Sequence, residues 1–187
     1  ELIARLIHFS GITRENPFIT INCTPINDEG MHKELFGYFV KPGNPESEYI
    51  PGKFELAGEG TIFFDEISDL SDNMQIKLSR VLEDMEYDHP NLIEKIKINA
   101  RIIGSTNKDP EQLISLNRLR EELFYRLNVF SIDLPALRKR KEDISELTFF
   151  FINKYNRKFK KQVSQVADGV FEVMKNYDWP GNIRELE

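Results

Sequence analysis

Residues Thr61–Glu66 read TIFFDE, a continuous apolar run that ends in two adjacent carboxylates. A run that is apolar at every position, rather than at every second one, marks a strand covered on both faces, as in a parallel α/β sheet. In open α/β sheets ligands bind beyond the carboxyl ends of the strands. Asp65 and Glu66 therefore stand where chemistry is expected. One carboxylate there can hold hydrated Mg²⁺ together with phosphate oxygens, and the next can orient an attacking water. The same pair also fits a strand that runs out into a solvated loop.

Working outward, Pro17–Asn22 (PFITIN), Ile98–Ser105 (INARIIGS) and Val129–Leu134 (VFSIDL) read as further strands. Helical patterns separate them. Glu1–Ser10 carries Leu2, Ile3, Leu6 and Ile7 on one side and stops at Gly11. Ser71–Glu86 opens on Ser71 as a candidate N-cap and sets Met74, Leu78, Val81, Leu82 and Met85 on one helical stripe. Arg118–Leu127 is a short charged helix. Strands alternating with helices predict a layered α/β domain. After Leu134 the strand pattern ceases. Glu142–Lys161 and Gln165–Asn176 read as helices, and Asn182–Glu187 begins another, with Asn182 as N-cap and Glu185 at its third position. The expected organisation is an α/β part over residues 1–134 and a small helical part over 135–187. Within the α/β part, Tyr38–Gly52 has three prolines and no clear period, the mark of a functional or disordered loop.

Composition narrows the classes. The chain has 187 residues and a net charge of −6, so an overall basic nucleic-acid binder is excluded. The longest apolar run, Leu147–Ile152, is far short of a membrane span. The single cysteine, Cys23, excludes an internal disulfide and points to the cytosol. A local basic stretch remains: Leu134–Lys161 carries nine Lys or Arg against three acids, enough to contact nucleic acid or simply to solvate a helix.

Three other places carry polar chemistry. RIIGSTN ends a strand on Thr106 and Asn107, a tip that can touch a γ-phosphate or form an ordinary turn. Arg120 and Arg126 lie in LREELFYRLN, six residues apart. On a regular helix that spacing sets them about 120° apart, on different faces. Guanidinium groups fork onto phosphate oxygens, and equally onto the neighbouring Glu121 and Glu122. WPGNIRELE projects Arg184 from the first turn of a helix. The histidines His8, His32 and His89 lack metal-ligand spacing.

Nine stretches agree in order and spacing with one family: ELIARLIH, PFITINC, KELFG, GKFELAGEGTIFFDEI, MQIKLSRVLED, ARIIGSTN, LREELFYRLNVF, LPALRKRKEDI and WPGNIRELE. On these the chain resembles the central AAA+ ATPase domain of bacterial enhancer-binding proteins, the activators of sigma-54-dependent transcription. The resemblance implies a P-loop NTPase-type parallel sheet with a C-terminal helical lid, and ATP with Mg²⁺ as ligands. By it Asp65 holds Mg²⁺, Glu66 activates water, and Asn22 restrains that glutamate. Thr106 and Asn107 form the first sensor. Arg120 and Arg126 reach a neighbouring subunit's ATP, and Arg184 is the second sensor. Glu1 falls beside the nucleotide, directly after the lysine of the family's Gly-rich phosphate loop. The partners implied are further copies in a ring, a hexamer in the family, and sigma-54 RNA polymerase. DNA is contacted through a separate domain, there is no membrane contact, and the location is cytoplasmic.

Two departures qualify the resemblance. The Gly-rich loop ending in Gly-Lys, and the strand before it, are not in these 187 residues. The expected parent is longer, and a free polypeptide of this length is expected to fold poorly and not to hydrolyse ATP, since each unpaired buried backbone group costs roughly 1–3 kcal/mol. The loop between Gly37 and Lys53 keeps the family's length, but the positions of its contacting motif, Lys41, Pro42, Gly43, Asn44, Pro45 and Glu46, read KPGNPE. Gly43 stands where the family has Phe, and Asn44 where it has Thr. Weak or absent engagement of sigma-54 is expected. That leaves open an ATP-dependent oligomerising regulator, or an interaction module without catalysis.

Overall fold

TIFFDE forms the central strand of a three-stranded parallel sheet, and Thr61, Ile62, Phe63 and Phe64 are all at most 2% exposed. The computed structural model describes residues 1–24, 27–41, 48–89 and 95–187. Two compact units are present, Glu1–Phe130 and Ser131–Glu187.

In the first unit the chain runs through α1 (Leu2–Phe9), β1 (Phe18–Asn22), α2 (Asp28–Phe36), β2 (Tyr38–Phe39), β3 (Tyr49–Ile50), α3 (Lys53–Ala57) and β4 (Thr61–Asp65). After a 3₁₀ turn at Ile67–Asp69 it continues through α4 (Asp72–Asp84), β5 (Glu86–Tyr87), β6 (Ile96–Lys97), β7 (Arg101–Gly104), α5 (Pro110–Ser115) and α6 (Glu121–Leu127). Strand order in the main sheet is β1-β4-β7, with Phe18 opposite Thr61, Asn22 opposite Asp65, and Thr61 opposite Arg101.

The two sheet faces have different covers. Ile21, Ile62 and Phe64 join Met31 and Leu35 of α2, Met74 and Leu78 of α4, and Leu123 of α6 in one buried cluster. Truncating a buried Phe in such a cluster costs about 3–5 kcal/mol. On the opposite face Phe63 stacks on Phe18, and α1 closes over them through His8, whose Nδ1 lies 2.9 Å from Thr61 Oγ1. Ser71 caps α4 as expected, accepting the Met74 amide at 3.2 Å.

Several expectations are corrected here. The buried face of α1 is Ala4 and His8, while Leu2 and Leu6 are exposed. Small Ala4 lets the helix approach, and the His8–Thr61 contact selects the face, so apolar spacing alone misassigned it. The expected strand Ile98–Ser105 is shorter, Arg101–Gly104: Ile98–Ala100 link it to β6 (Ile96–Lys97) and belong to neither strand. Val129–Leu134 is not a strand. Val129 and Phe130 are 89% and 82% exposed. A strand exists only against a hydrogen-bonded neighbour, and this segment has none among the described residues. The two ends of the expected loop Tyr38–Gly52 are strands: β2 and β3 pair antiparallel, Tyr38 with Ile50 and Phe39 with Tyr49. At its base the Glu55 carboxylate accepts from the Tyr49 hydroxyl and from the Gly52 amide. Exposed Lys41 is described, whereas Pro42, Gly43, Asn44, Pro45 and Glu46 lie outside the described residues.

The second unit is helical: α7 (Asp143–Phe159), α8 (Asp168–Asn176) and α9 (Asn182–Leu186), with a 3₁₀ turn at Leu137–Lys139. Leu137 and Ile144 are fully buried, and Phe149 meets Phe171 at 5.8 Å. Asn182 does not cap α9. Its Oδ1 accepts the Leu137 amide at 2.9 Å, tying the 3₁₀ turn to α9, while Glu185 reaches back to the Gly181 amide at 2.8 Å. The long-range bond to Leu137 wins because Gly181 already occupies the cap position.

Candidate functional site

The carboxyl ends of β1, β4 and β7 meet at Asn22, Asp65 and Ser105. Asp65 is half-buried at the end of β4. Its Oδ1 accepts from Ser105 Oγ at 2.8 Å, and Ser105 Oγ accepts the Glu66 amide at 3.2 Å. Glu66 has φ +57° and ψ +57°, a left-handed conformation that costs a non-glycine residue about 1–2 kcal/mol. Such strain persists where the surroundings hold it, and it clusters at working sites. Here the following 3₁₀ turn and the Ser105 hydroxyl hold it. The bend swings the Glu66 carboxylate onto the Asn107 amide, at 3.0 Å from Oε2. Thr106 Oγ1 lies 3.2 Å from Ser68 Oγ, so the tip after β7 is stitched to the turn after β4.

Asn22 is the register partner of Asp65 on the same face. Its Oδ1 accepts the Thr24 amide at 3.0 Å, and Thr24 Oγ1 donates to Asp69 at 3.1 Å. Between these acids lies Cys23, 2% exposed. Burial first, then the charges of Asp65, Asp69, Glu34 and Glu66, push its thiol up to about 12. Burial is the main cause, and the lesser share from Asp65, Asp69, Glu34 and Glu66 reflects several carboxylates near the strand ends. Among the described residues no three His, Cys, Asp or Glu side chains converge as metal ligands. A cation here would take one or two carboxylates and draw the rest of its shell from solvent and ligand oxygens, which is how Mg²⁺ is held beside phosphate. The residues present fit that group.

Arg120 and Arg126 do share a cleft, contrary to the angular estimate. Arg120 precedes α6 as its N-cap and so escapes the helical rotation. Both line the groove between α4 and α6, with Arg80 and Tyr125. Arg120 Nη1 donates to Asp72 at 2.8 Å, and Arg126 pairs with Glu83. The Asp72 carboxylate raises the Arg120 pKa further, so its charge is permanent. Glu1 is exposed and accepts from Arg5 at 2.6 Å. Arg184 is exposed on α9, in the second unit.

Ser105, Ser68, Gln75 and Arg80 were not singled out by sequence. Only Ser105 left a trace there, as the residue just before the sensor-like Thr106.

Residues 1–133 match the family model described as the Sigma-54 interaction domain. The chain belongs to that family. Residues 138–187 match the AAA+ ATPase lid domain, so this sigma-54 interaction domain carries its lid in the same chain. It is 37% identical over all 187 residues to the transcriptional regulatory protein ZraR of Escherichia coli (strain K12), of which it covers 42%. To the Nif-specific regulatory protein of Klebsiella pneumoniae it is 39% identical, covering 36% of that protein. The crystal structure of NtrX from Brucella abortus in complex with ATP is similar at a TM-score of 0.86 and 34% identity, over 99% of this chain and 42% of that one. The sigma-54 interaction domain described here is thus an activator-type AAA+ regulatory domain. With its lid it spans 36–42% of the length of these relatives.

Proposed function

We propose that this domain binds ATP with Mg²⁺ and hydrolyses it at the interface between neighbouring subunits of a ring, as the motor of a cytoplasmic bacterial transcription regulator. The carrying observation is the Asp65–Glu66 pair at the end of β4, with Glu66 held left-handed and fastened to the tip after β7. Asp65 would hold Mg²⁺, which when bound would neutralise charge on the phosphate oxygens. Glu66 accepts a proton from the attacking water once its carboxylate leaves the Asn107 amide, and Asn22, whose Oδ1 accepts the Thr24 amide in this conformation, restrains it in another. Thr106 and Asn107 sense the γ-phosphate. Arg120 and Arg126 stabilise transferring charge in the next subunit's site, a role worth 10³–10⁵ in rate where it operates. Arg184 reads the nucleotide from the lid, and Glu1 adjoins the phosphate-binding loop of the whole protein.

ATP turnover by the full-length protein tests this. Glu66→Gln should abolish turnover while retaining ATP binding. Mixing Glu66→Gln subunits with Arg120→Ala subunits should restore part of it, because a hybrid interface holds one intact set of acids and arginines. Turnover that is independent of protein concentration, with no recovery on mixing, would remove the shared-site reading.

A second reading concerns the partner. Gly43 and Asn44 offer no aromatic anchor or threonine hydroxyl, and Pro42 and Pro45 stiffen the segment. These residues favour a regulator that assembles and hydrolyses ATP yet engages sigma-54 weakly. Its test is a pull-down of sigma-54 with an ATP transition-state analogue, where robust complex formation would overturn it.

A further inference from the structure

Gln75 sits on the first turns of α4 with its side chain 3% exposed, and every group of its carboxamide is engaged. Nε2 donates to the Leu70 carbonyl at 2.9 Å and to the Arg118 carbonyl at 3.1 Å. Oε1 accepts the backbone amide of Arg120 at 2.8 Å. Only one orientation of the amide satisfies all three partners, because carbonyls require the NH₂ end and the Arg120 amide requires the oxygen. The side chain therefore joins the end of the turn that follows Glu66, at Leu70, to the two residues that launch α6. Leu119, between them, is buried at 4% exposure, so the 118–120 segment is anchored on both sides. Arg120 begins from this anchored backbone and reaches Asp72, one turn before Gln75 on the same helix.

We propose that Gln75 is a positioning residue for Arg120: its carboxamide fixes the backbone from which that guanidinium extends toward the neighbouring subunit. This rests on the reading that Arg120 acts across the interface. A buried glutamine with three satisfied bonds is a costly group to leave unpaired, and here all three bonds converge on the carriers of two functional elements. The geometry also joins them: any shift of the turn after Glu66 is passed to Arg120 through one planar amide.

The test is a double-variant cycle on the full-length protein, reading ATP affinity, ring formation and kcat. Gln75→Met keeps the volume and removes the hydrogen bonds. Gln75→Asn, the fallback if the first does not fold, keeps the chemistry and withdraws it by one carbon. Either should lower kcat at least about ten-fold with ATP affinity and assembly changed less than about two-fold. Added to Arg120→Ala, the same change should lower kcat by less than about two-fold, since its effect passes through a group already gone. An equal loss in both backgrounds would overturn the proposal, as would loss of ATP affinity in step with kcat. A silent Gln75→Met beside a crippling Arg120→Ala removes the role of Gln75 alone. An Arg120→Ala that leaves kcat intact removes the trans-acting arginine, and the positioning role with it.

Discussion

The hydroxyl of Ser105 bridges Asp65 and Glu66, donating to the carboxylate of one at 2.8 Å and accepting the backbone amide of the other at 3.2 Å. One small side chain just beyond β7, the strand next to β4, thus sets the attitude of both acids. Ser105→Ala should leave the Glu66 amide unpaired and free the Asp65 carboxylate, costing about 1–2 kcal/mol in stability. Turnover should fall more than ATP affinity does. Chemical denaturation with steady-state kinetics on the full-length protein would check it, and a variant as stable and as fast as wild type would show the bridge to be idle.

Glu66 keeps φ +57° against the preference of its side chain. Glu66→Gly and Glu66→Ala both lose the carboxylate, but only alanine retains the strain. The glycine variant should be the more stable of the two by about 1 kcal/mol, with both inactive. Equal melting temperatures would place the strain elsewhere.

Arg120 and Arg126 pair with Asp72 and Glu83 at part-exposed and exposed positions, where water screens the attraction and such pairs add little to stability. Arg120→Ala and Arg126→Ala should therefore barely move the melting temperature, yet each should lower turnover by up to about 10³-fold. Large destabilisation with intact turnover would make them structural.

Cys23 gives a pH signature. Its thiol titrates near 9.0 when free and is pushed up to about 12 when folded, chiefly by burial. The folded state holds this proton more tightly. Its stabilising contribution is complete below pH 9 and is lost as pH rises toward 12. Between pH 9 and 11 the wild-type melting temperature should fall faster than that of Cys23→Ala. Modification of the native thiol at pH 8 should be slow until the protein unfolds. Parallel pH curves for the two proteins would contradict the shift.

Two glycines separate crowding from conformation. A Cβ at Gly52 would collide with the Leu35 carbonyl and the backbone of Phe36 and Gly37, whereas Gly58, at φ +52°, has nothing within 4 Å of an added Cβ. Gly52→Ala must displace the end of α2 and the base of the β2–β3 hairpin, at about 1–3 kcal/mol. Gly58→Ala adds only the left-handed cost, about 1 kcal/mol. Hydrogen exchange in β2 and β3 should accelerate in the first variant and not in the second.

The sequence by itself determined that Thr61–Asp65 is a strand covered on both faces, its terminal acids and the helical character of residues after 135, because continuous hydrophobicity and helical period are local properties. It also carried the family, through nine short stretches in order. Tertiary structure alone decided which face of α1 is buried, since Ala4 and His8 gain their meaning from Thr61 on a strand more than fifty residues away. It decided that Val129–Leu134 is no strand, because a strand is a relation between two segments. It brought Arg120 and Arg126 into one cleft by starting α6 after Arg120. Above all it revealed Ser105 and Gln75, which reach the Glu66 and Arg120 amides thirty-nine and forty-five residues away, a pairing that no pattern of neighbouring residue types encodes.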